Sequence, residues 1–105
     1  MTTKQRAYLR GMAMSLEPIF HIGKSGLTPE ITTAVSESLE KRELVKLDIL
    51  KNCDEDLVDV ANRLAERTRS DVVQTIGRKI VLYRPAKDEQ KRKIQLPRPK
   101  RSNAT

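Results

Sequence analysis

The sequence predicts one layered α/β domain in which helices pack on a four-stranded mixed sheet. Apolar residues recur at helical spacing in three segments, and they alternate with polar residues or form β-branched runs in four shorter ones. These segments follow one another in the order α-β-α-β-α-β-β. Strands joined through helices favour parallel pairing, whereas a closing hairpin is necessarily antiparallel, so we expect a mixed sheet. A length of 105 residues suits a single domain.

Each predicted element begins or ends at a recognisable residue. Threonines precede the first two helices and Asp54 precedes the third, and all are favoured N-cap residues. Pro18 closes the region of the first helix, because the residue before a proline is biased away from helical conformation. Gly77-Arg78 separates the last two strands as a hairpin turn. The expected helices span about residues 2–14, 29–41 and 54–69, and the expected strands span residues 19–22, 44–50, 72–76 and 79–83.

The composition changes at Pro85, so we place the domain in residues 1–84 and a tail in residues 85–105. The tail contains seven Lys or Arg and two acidic residues, which gives a net charge of +5 out of +7 for the whole chain. Its only large aliphatic residues are Ile94 and Leu96. Such a segment buries too little apolar surface to offset the entropy lost on ordering. We therefore expect a flexible basic tail.

The composition also excludes several classes of protein. One cysteine, Cys53, rules out an internal disulfide, and with His21 as the only histidine there is no zinc cluster by spacing. Nothing pairs with His21 as a nucleophile or second ligand at a recognisable spacing, and we take Cys53 as inert. We therefore expect no enzyme activity and no cofactor. The polar N-terminus lacks the apolar region of a signal peptide, and no apolar run approaches the length of about 20 residues that a membrane span needs. These features predict a cytoplasmic protein without a membrane or small-molecule partner.

The loop Gly23-Lys24-Ser25-Gly26 is the most informative motif of the chain. It lies between a predicted strand and the predicted helix start Thr28-Pro29-Glu30. Two glycines beside a lysine and a serine allow backbone N–H groups to approach a phosphate without a Cβ in the way. A helix N-terminus adds the positive end of its dipole. The pattern is therefore consistent with a phosphate-binding loop.

Three interpretations of this loop can be compared. A nucleotide-binding P-loop requires G-x-x-x-x-G-K-[ST], but Pro18 occupies the position of the first glycine, so this interpretation fails. A plain turn between strand and helix remains possible, because a single G-x-x-G is a weak signal. A nucleic-acid clamp also remains possible, since K-homology domains use a G-x-x-G loop to hold backbone nucleotides.

Charge favours a polyanionic partner. The net charge is +7 and the predicted pI is near 9.9, which is typical of nucleic-acid-binding domains. Five basic residues of the predicted first helix and terminal hairpin are candidates to extend a phosphate track from the loop: Arg6, Arg10, Arg78, Lys79 and Arg84. His21 alternates with apolar neighbours and is expected on a sheet face.

Several blocks of the sequence resemble the bacterial YhbY family, stand-alone members of the CRM (chloroplast RNA splicing and ribosome maturation) group. The matching blocks are Lys4-Gln5-Arg6, Leu9-Arg10-Gly11, Pro18-Ile19, Ile22 to Thr28, Glu43 to Lys46 and Val73 to Arg84. The resemblance implies a fold similar to the C-terminal domain of translation initiation factor three. It also implies an RNA-binding protein of large-subunit ribosomal precursors, with Gly23, Lys24, Ser25 and Gly26 as the RNA contact.

These observations together predict a monomeric, non-enzymatic RNA-binding protein that acts in assembly of the large ribosomal subunit. Two alternatives stay open. One is a general RNA chaperone or intron-splicing cofactor. The other is a protein-interaction module whose acidic helices dock a basic ribosomal protein.

Overall fold

A computed structural model describes residues 1–97 of the chain and confirms the predicted order of elements. The helices are α1 (Thr3–Ala13), α2 (Pro29–Arg42) and α3 (Leu57–Thr68), and the strands are β1 (Phe20–Ile22), β2 (Leu44–Ile49), β3 (Asp71–Ile76) and β4 (Lys79–Tyr83). A short 3₁₀ helix, Glu89–Lys91, follows β4. The predicted α/β class with a four-stranded mixed sheet is confirmed.

The sheet order is β1-β2-β4-β3, so the last strand lies between β2 and β3. β1 and β2 pair in parallel, as expected for strands joined through a helix. β4 pairs antiparallel with both β2 and β3, so β2 and β3 run in the same direction without touching. This order brings the hairpin turn Gly77-Arg78 to the end of the sheet at which β1 and β2 finish.

The helix starts follow from capping chemistry. Thr2 and Gln5 form a reciprocal capping box at α1, and Thr28 caps α2 by accepting from the N–H of Ile31 at 3.2 Å. The prediction that Asp54 caps α3 is wrong. Asp56 occupies that position, and its carboxylate accepts from the N–H of Asp59 at 3.1 Å. Both aspartates suit the role chemically, so local preference alone did not separate them.

Two apolar clusters cover the two faces of the sheet, giving three layers. On one face, α2 and α3 pack over alternate strand residues, with Val35, Leu39, Val60 and Leu64 fully buried. On the other face, α1 supplies Leu9 and Ala13. The second cluster is completed by Ile94 and Leu96, which lie in the predicted tail.

The segment from Pro85 to Pro97 therefore differs from the expectation of a tail without packing contacts. Ala86 is fully buried, and Gln5 donates to the carbonyl of Pro97 at 3.0 Å. Apolar burial by only a few side chains suffices here because the carboxylates of Glu40 in α2 and of Glu43 after it bind the main chain of the segment, as described below. Residues 98–105 of the predicted tail lie outside the described residues.

Candidate nucleic-acid interface

The loop after β1 is a tight turn closed by its own glycines. The N–H of Gly26 donates to the carbonyl of Gly23 at 2.9 Å, and Gly26 has a φ of 67°. Lys24 and Ser25 are exposed at the tip of the turn, whereas Gly26 is buried beneath them. The turn thus projects an ammonium and a hydroxyl group into solvent.

Both glycines of the turn pack against the loop between β2 and α3, Gly26 more closely than Gly23. A Cβ on Gly26 would come within 3.0 Å of Cδ of Glu55 and closer still to its carboxylate oxygen. A Cβ on Gly23 would lie 3.3 Å from Oδ1 of Asn52. Positive φ and this close approach together favour glycine at position 26, because any larger residue would be strained and would displace the Glu55 carboxylate. Gly26 thus has a structural reason of its own, whatever the loop binds, whereas at Gly23 only the exposed side chain of Asn52 would have to shift.

Glu55 places a carboxylate directly behind the loop, and Arg63 of α3 pairs with it. Arg63 also contacts the carboxylate of Asp59 at 3.2 Å. Arg63 offsets the negative charge of Glu55 behind the loop. Lys24 therefore remains the dominant charge at the exposed tip. Sequence reasoning missed this support, since eight residues separate Glu55 from Arg63 along the chain.

Backbone donors at this end are fewer than the sequence suggested. The N–H of Gly26 is used within the turn, and the N–H of Ile31 is used by the Thr28 cap. Pro29 has no N–H. Within residues 1–97, the N–H groups of Lys24 and Ser25 make no hydrogen bond. A phosphate at this loop therefore has two main-chain donors at the tip and the side chain of Lys24, and the N–H of Glu30 in the first turn of α2 also makes no hydrogen bond within residues 1–97.

The hairpin turn brings a second cation to the same end of the sheet. The N–H of Ile49 donates to the carbonyl of Arg78 at 2.7 Å, which fixes the turn against the end of β2. Gly77 and Arg78 line a cleft of about 400 Å³ together with Cys53 and Glu55. Arg78 is exposed, and Lys79 beside it is half-buried. The structure thus brings Arg78 and Lys79 to the end of the sheet that carries Lys24, and we name this region the loop end.

His21 and Asp48 form a pair on the sheet face at the loop end. They are register partners in the parallel β1–β2 ladder, and Nδ1 of His21 lies 2.5 Å from Oδ1 of Asp48. The next register partner across the sheet is Lys79. Strand alternation predicted that His21 faces away from the core, but only the pairing of β1 with β2 identifies its partner.

The two arginines of α1 have different environments. Arg6 is half-buried, and its guanidinium donates to the carbonyls of Val72 and Val73, where β3 departs from regular pairing with β4. Arg10 is exposed. Arg10 is therefore open to a ligand, whereas Arg6 already serves the contact between α1 and β3.

Arg84 is buried, so its predicted role as a phosphate contact does not fit the structure. Its side chain is only 10% exposed and donates to Oγ and the carbonyl of Ser36, at 3.0 and 2.8 Å, and to the carbonyl of Thr68 at 2.8 Å. Its guanidinium also lies 3.6 Å from the carboxylate of Glu40. The physical reason is position, because β4 ends beneath α2 and α3 and carries Arg84 into the core.

Shifted pKa values occur at the opposite end of β2, around the segment after Arg84. Burial raises the pKa of Glu43, but N–H groups of Ala86, Ile94 and Lys93 and the charge of Arg92 outweigh it and leave the pKa below its ordinary value. Hydrogen bonds from the N–H groups of Lys87 and Asp88 lower the pKa of Glu40. Burial, followed by the charge of Glu43, raises the pKa of Tyr83.

No group of three or more His, Cys, Asp or Glu side chains within residues 1–97 is placed to hold a metal ion. Across the same residues, no helix is both long and apolar enough to span a bilayer.

Comparisons with known proteins agree with one another. The chain is 45% identical over 97 residues to "Probable RNA-binding protein YqeI" of Bacillus subtilis, covering 92% of this chain and 99% of that protein. It is 36% identical over 98 residues to a Haemophilus influenzae protein named "RNA-binding protein", covering 93% and 96%. The solution structure of the hypothetical protein SAV1595 from Staphylococcus aureus matches with a TM-score of 0.76 and 42% identity, over 92% of this chain and 99% of that one. A model of the CRS1 / YhbY (CRM) domain matches residues 1–84, and the chain belongs to this family.

Proposed function

We propose that this protein is a non-enzymatic RNA-binding factor in assembly of the large ribosomal subunit, and that it holds RNA phosphates at the loop end of its sheet. The names of its relatives support RNA as the ligand. The role in the large subunit follows from the resemblance to the YhbY family. A cytoplasmic location and a monomeric state belong to the same proposal.

The arrangement of Lys24 carries the proposal. Its exposed side chain lies beside two main-chain N–H groups that make no hydrogen bond within residues 1–97, in a turn that packs against Glu55. Arg78 and Lys79 lie at the same end of the sheet and extend the cationic surface. Groups of this kind contact phosphates and carry no base-specific information. Specificity would therefore come from the shape of the RNA or from ribosomal partners.

The alternative of an interaction module whose acidic helices dock a basic ribosomal protein has less support, because two of the acidic residues are already bonded within the protein. Two acidic residues of the α2 region, Glu40 and Glu43, bind main-chain N–H groups of the same protein. They are thus not free to dock a basic protein. A general RNA chaperone would use the same loop end, and the two RNA-based functions differ in the RNA bound.

Charge reversal at Lys24 tests the loop. We expect Lys24→Glu to weaken binding to large-subunit ribosomal RNA by about tenfold or more, because it replaces a phosphate contact with a repulsive charge. Fluorescence anisotropy measures the affinity, and circular dichroism checks the fold. Arg67→Glu, at an exposed position of α3, is the control with the same change in charge. Equal losses for the two variants would show a response to net charge alone, and the loop would have no special role.

Sedimentation of cell extracts tests the cellular role. We expect the protein to migrate with precursors of the large subunit and to leave these fractions after RNase treatment or in high salt. A complex with one protein that survives both treatments would instead support the interaction module.

A further inference from the structure

We propose that residues 85–97 form a C-terminal strap that holds lysine side chains in place as a second RNA-phosphate contact, at the end of β2 opposite the loop. This inference rests on the proposed function and adds a surface to it. It replaces the expectation of a loose tail that binds polyanions by charge alone.

Glu43 is the main anchor of the strap. It lies between α2 and β2, is fully buried, and has a φ of 67°. Its carboxylate accepts from the N–H groups of Ala86 at 2.8 Å, Lys93 at 2.6 Å and Ile94 at 2.9 Å. A buried carboxylate with three main-chain donors stays ionised and fixes the segment at both ends of the 3₁₀ turn.

Glu40, one turn earlier on α2, holds the first residues of the strap. Its two carboxylate oxygens accept from the N–H groups of Lys87 at 2.9 Å and Asp88 at 3.2 Å. Five main-chain N–H groups of the strap thus bind two glutamates. The side chain of Arg92 adds a bond to the carbonyl of Ala86 at 2.8 Å, which closes the strap on itself.

Apolar contacts continue the strap along α1. Ile94 and Leu96 pack on the cluster that contains Leu9 and Tyr83, and Pro97 reaches the side chain of Gln5 near the start of α1. Ile94 and Leu96 of this segment are thus half-buried against the core, whereas Lys93 and Gln95 between them are exposed. The strap is therefore bound by its main chain and by its apolar side chains.

The lysine side chains of the strap are left free by this arrangement. Lys87, Lys91 and Lys93 are exposed, and no ion pair among residues 1–97 uses them. Had Glu40 and Glu43 paired with these ammonium groups, the charges would have cancelled. Because the carboxylates instead bind N–H groups, the ammonium groups remain available to an external anion.

A neighbouring cation extends this surface. Arg42, exposed in the last turn of α2, lines a groove of about 430 Å³ with Lys93 and Ile94. The groove adjoins Leu44 at the start of β2, whereas the loop end adjoins Ile49 at its finish. Five residue steps of about 3.3 Å separate these positions, a distance of about 17 Å. One RNA chain or helix that contacts both ends must therefore follow the sheet over this length.

The strap is included in the similarity to the relatives. The Bacillus subtilis protein matches over 97 residues of a 105-residue chain, so the match necessarily includes residues 85–97, which lie beyond the family model. The segment that forms the strap therefore lies within the region matched to the protein named "Probable RNA-binding protein YqeI".

Substitution of the anchor Glu43 distinguishes a strap that positions its lysines from binding by net charge alone, because the two hypotheses predict opposite changes in RNA affinity. Glu43→Gln removes one negative charge, so the net charge rises from +7 to +8. If the strap positions its lysines, we expect affinity for labelled large-subunit ribosomal RNA to fall about threefold or more, with faster hydrogen exchange at the N–H groups of Lys93 and Ile94. Unchanged or tighter binding with the same increase in exchange would overturn the proposal, as would unchanged exchange.

Neutralising the lysines tests the same surface without disturbing the anchor. We expect Lys91→Gln/Lys93→Gln to weaken binding about 3- to 10-fold and to lower the slope of log affinity against log salt by about one to two. Arg67→Gln/Arg69→Gln, at exposed positions at the end of α3, removes the same charge outside the strap. Equal effects of the two pairs would overturn the proposal, even where Glu43→Gln fails to fold.

The outcomes for the strap and the loop are separable. A loss with the strap variants and none with Lys24→Glu would support the strap and contradict the proposed loop. The reverse would leave the loop as the only phosphate site. A wild-type protein that binds no ribosomal RNA would contradict both.

Discussion

The two ends of β2 use main-chain N–H groups in opposite ways. At the loop end, the N–H groups of Lys24 and Ser25 make no hydrogen bond within residues 1–97, in an exposed turn that packs against Glu55. At the strap end, five N–H groups point inward to Glu40 and Glu43, and the lysine side chains stay outside. At the strap end, internal carboxylates accept from the main-chain N–H groups. At the loop end, the N–H groups of Lys24 and Ser25 have no internal acceptor in the described part of the chain. The placement of glutamates therefore decides whether backbone or side chain is offered to a ligand.

Arg84 and Arg78 have different expected roles, since Arg84 stabilises the fold and Arg78 contacts RNA. Substitution of Arg84 has the largest expected effect on stability. We expect Arg84→Ala to lower the free energy of unfolding by about 2–4 kcal/mol, because buried acceptors of Ser36 and Thr68 lose their donor. Arg78→Ala, at an exposed position, should change stability by about 0.5 kcal/mol or less and weaken RNA binding. Urea denaturation and fluorescence anisotropy measure the two quantities. Arg84→Ala with normal stability and weak RNA binding would show that Arg84 reaches the RNA after all.

Local patterns were enough to predict the order of elements, the hairpin and the position of the loop. Helical spacing, alternation and turn residues are properties of neighbouring residues, so the sequence displays them directly. Arg84 was misjudged because nothing adjacent to it distinguishes it from Arg78. Its burial depends on Ser36 and Thr68, which are 48 and 16 residues away.

The strap was missed for a similar reason. Its composition predicts weak burial, and that argument considers only the apolar side chains of the segment. The contacts that hold it come from Glu43, 43 to 51 residues earlier in the chain. The one local signal was Ile94 and Leu96 at alternating positions, which is typical of an extended segment on an apolar surface.

Alanine substitution at the two glycines with positive φ measures how much the contact with Glu55 contributes to the stability of the loop end. Gly26 and Gly77 have φ values of 67° and 58°, but a Cβ meets Glu55 only at Gly26, and none of the described atoms lies within 4 Å at Gly77. Gly77→Ala should therefore cost about 1–2 kcal/mol from backbone strain alone. Gly26→Ala should cost more, because Glu55 must also move, and it should weaken RNA binding. Thermal unfolding of both variants measures the difference. Equal losses of stability would mean that Glu55 yields freely and does not support the turn.

We expect acid to lower the free energy of unfolding by weakening the contacts at the strap end, and this is the smallest of the predicted effects on stability. Because the pKa values of Glu40 and Glu43 are lowered in the folded protein from an ordinary value of 4.5, their contribution to stability is complete above that pH. It is lost as the pH falls below 4.5 and through the folded pKa values, since protonated carboxyls bind the strap N–H groups weakly. Unfolding free energies measured between about pH 3 and 6 should therefore fall more steeply for the wild type than for Glu43→Gln. Glu37→Gln, exposed on the same helix, gives the effect of removing one carboxylate that makes no bond to the strap. Parallel curves for the wild type and Glu43→Gln would show that the charge of Glu43 does not hold the strap, and the main-chain N–H groups at this end would then be anchored by apolar packing alone.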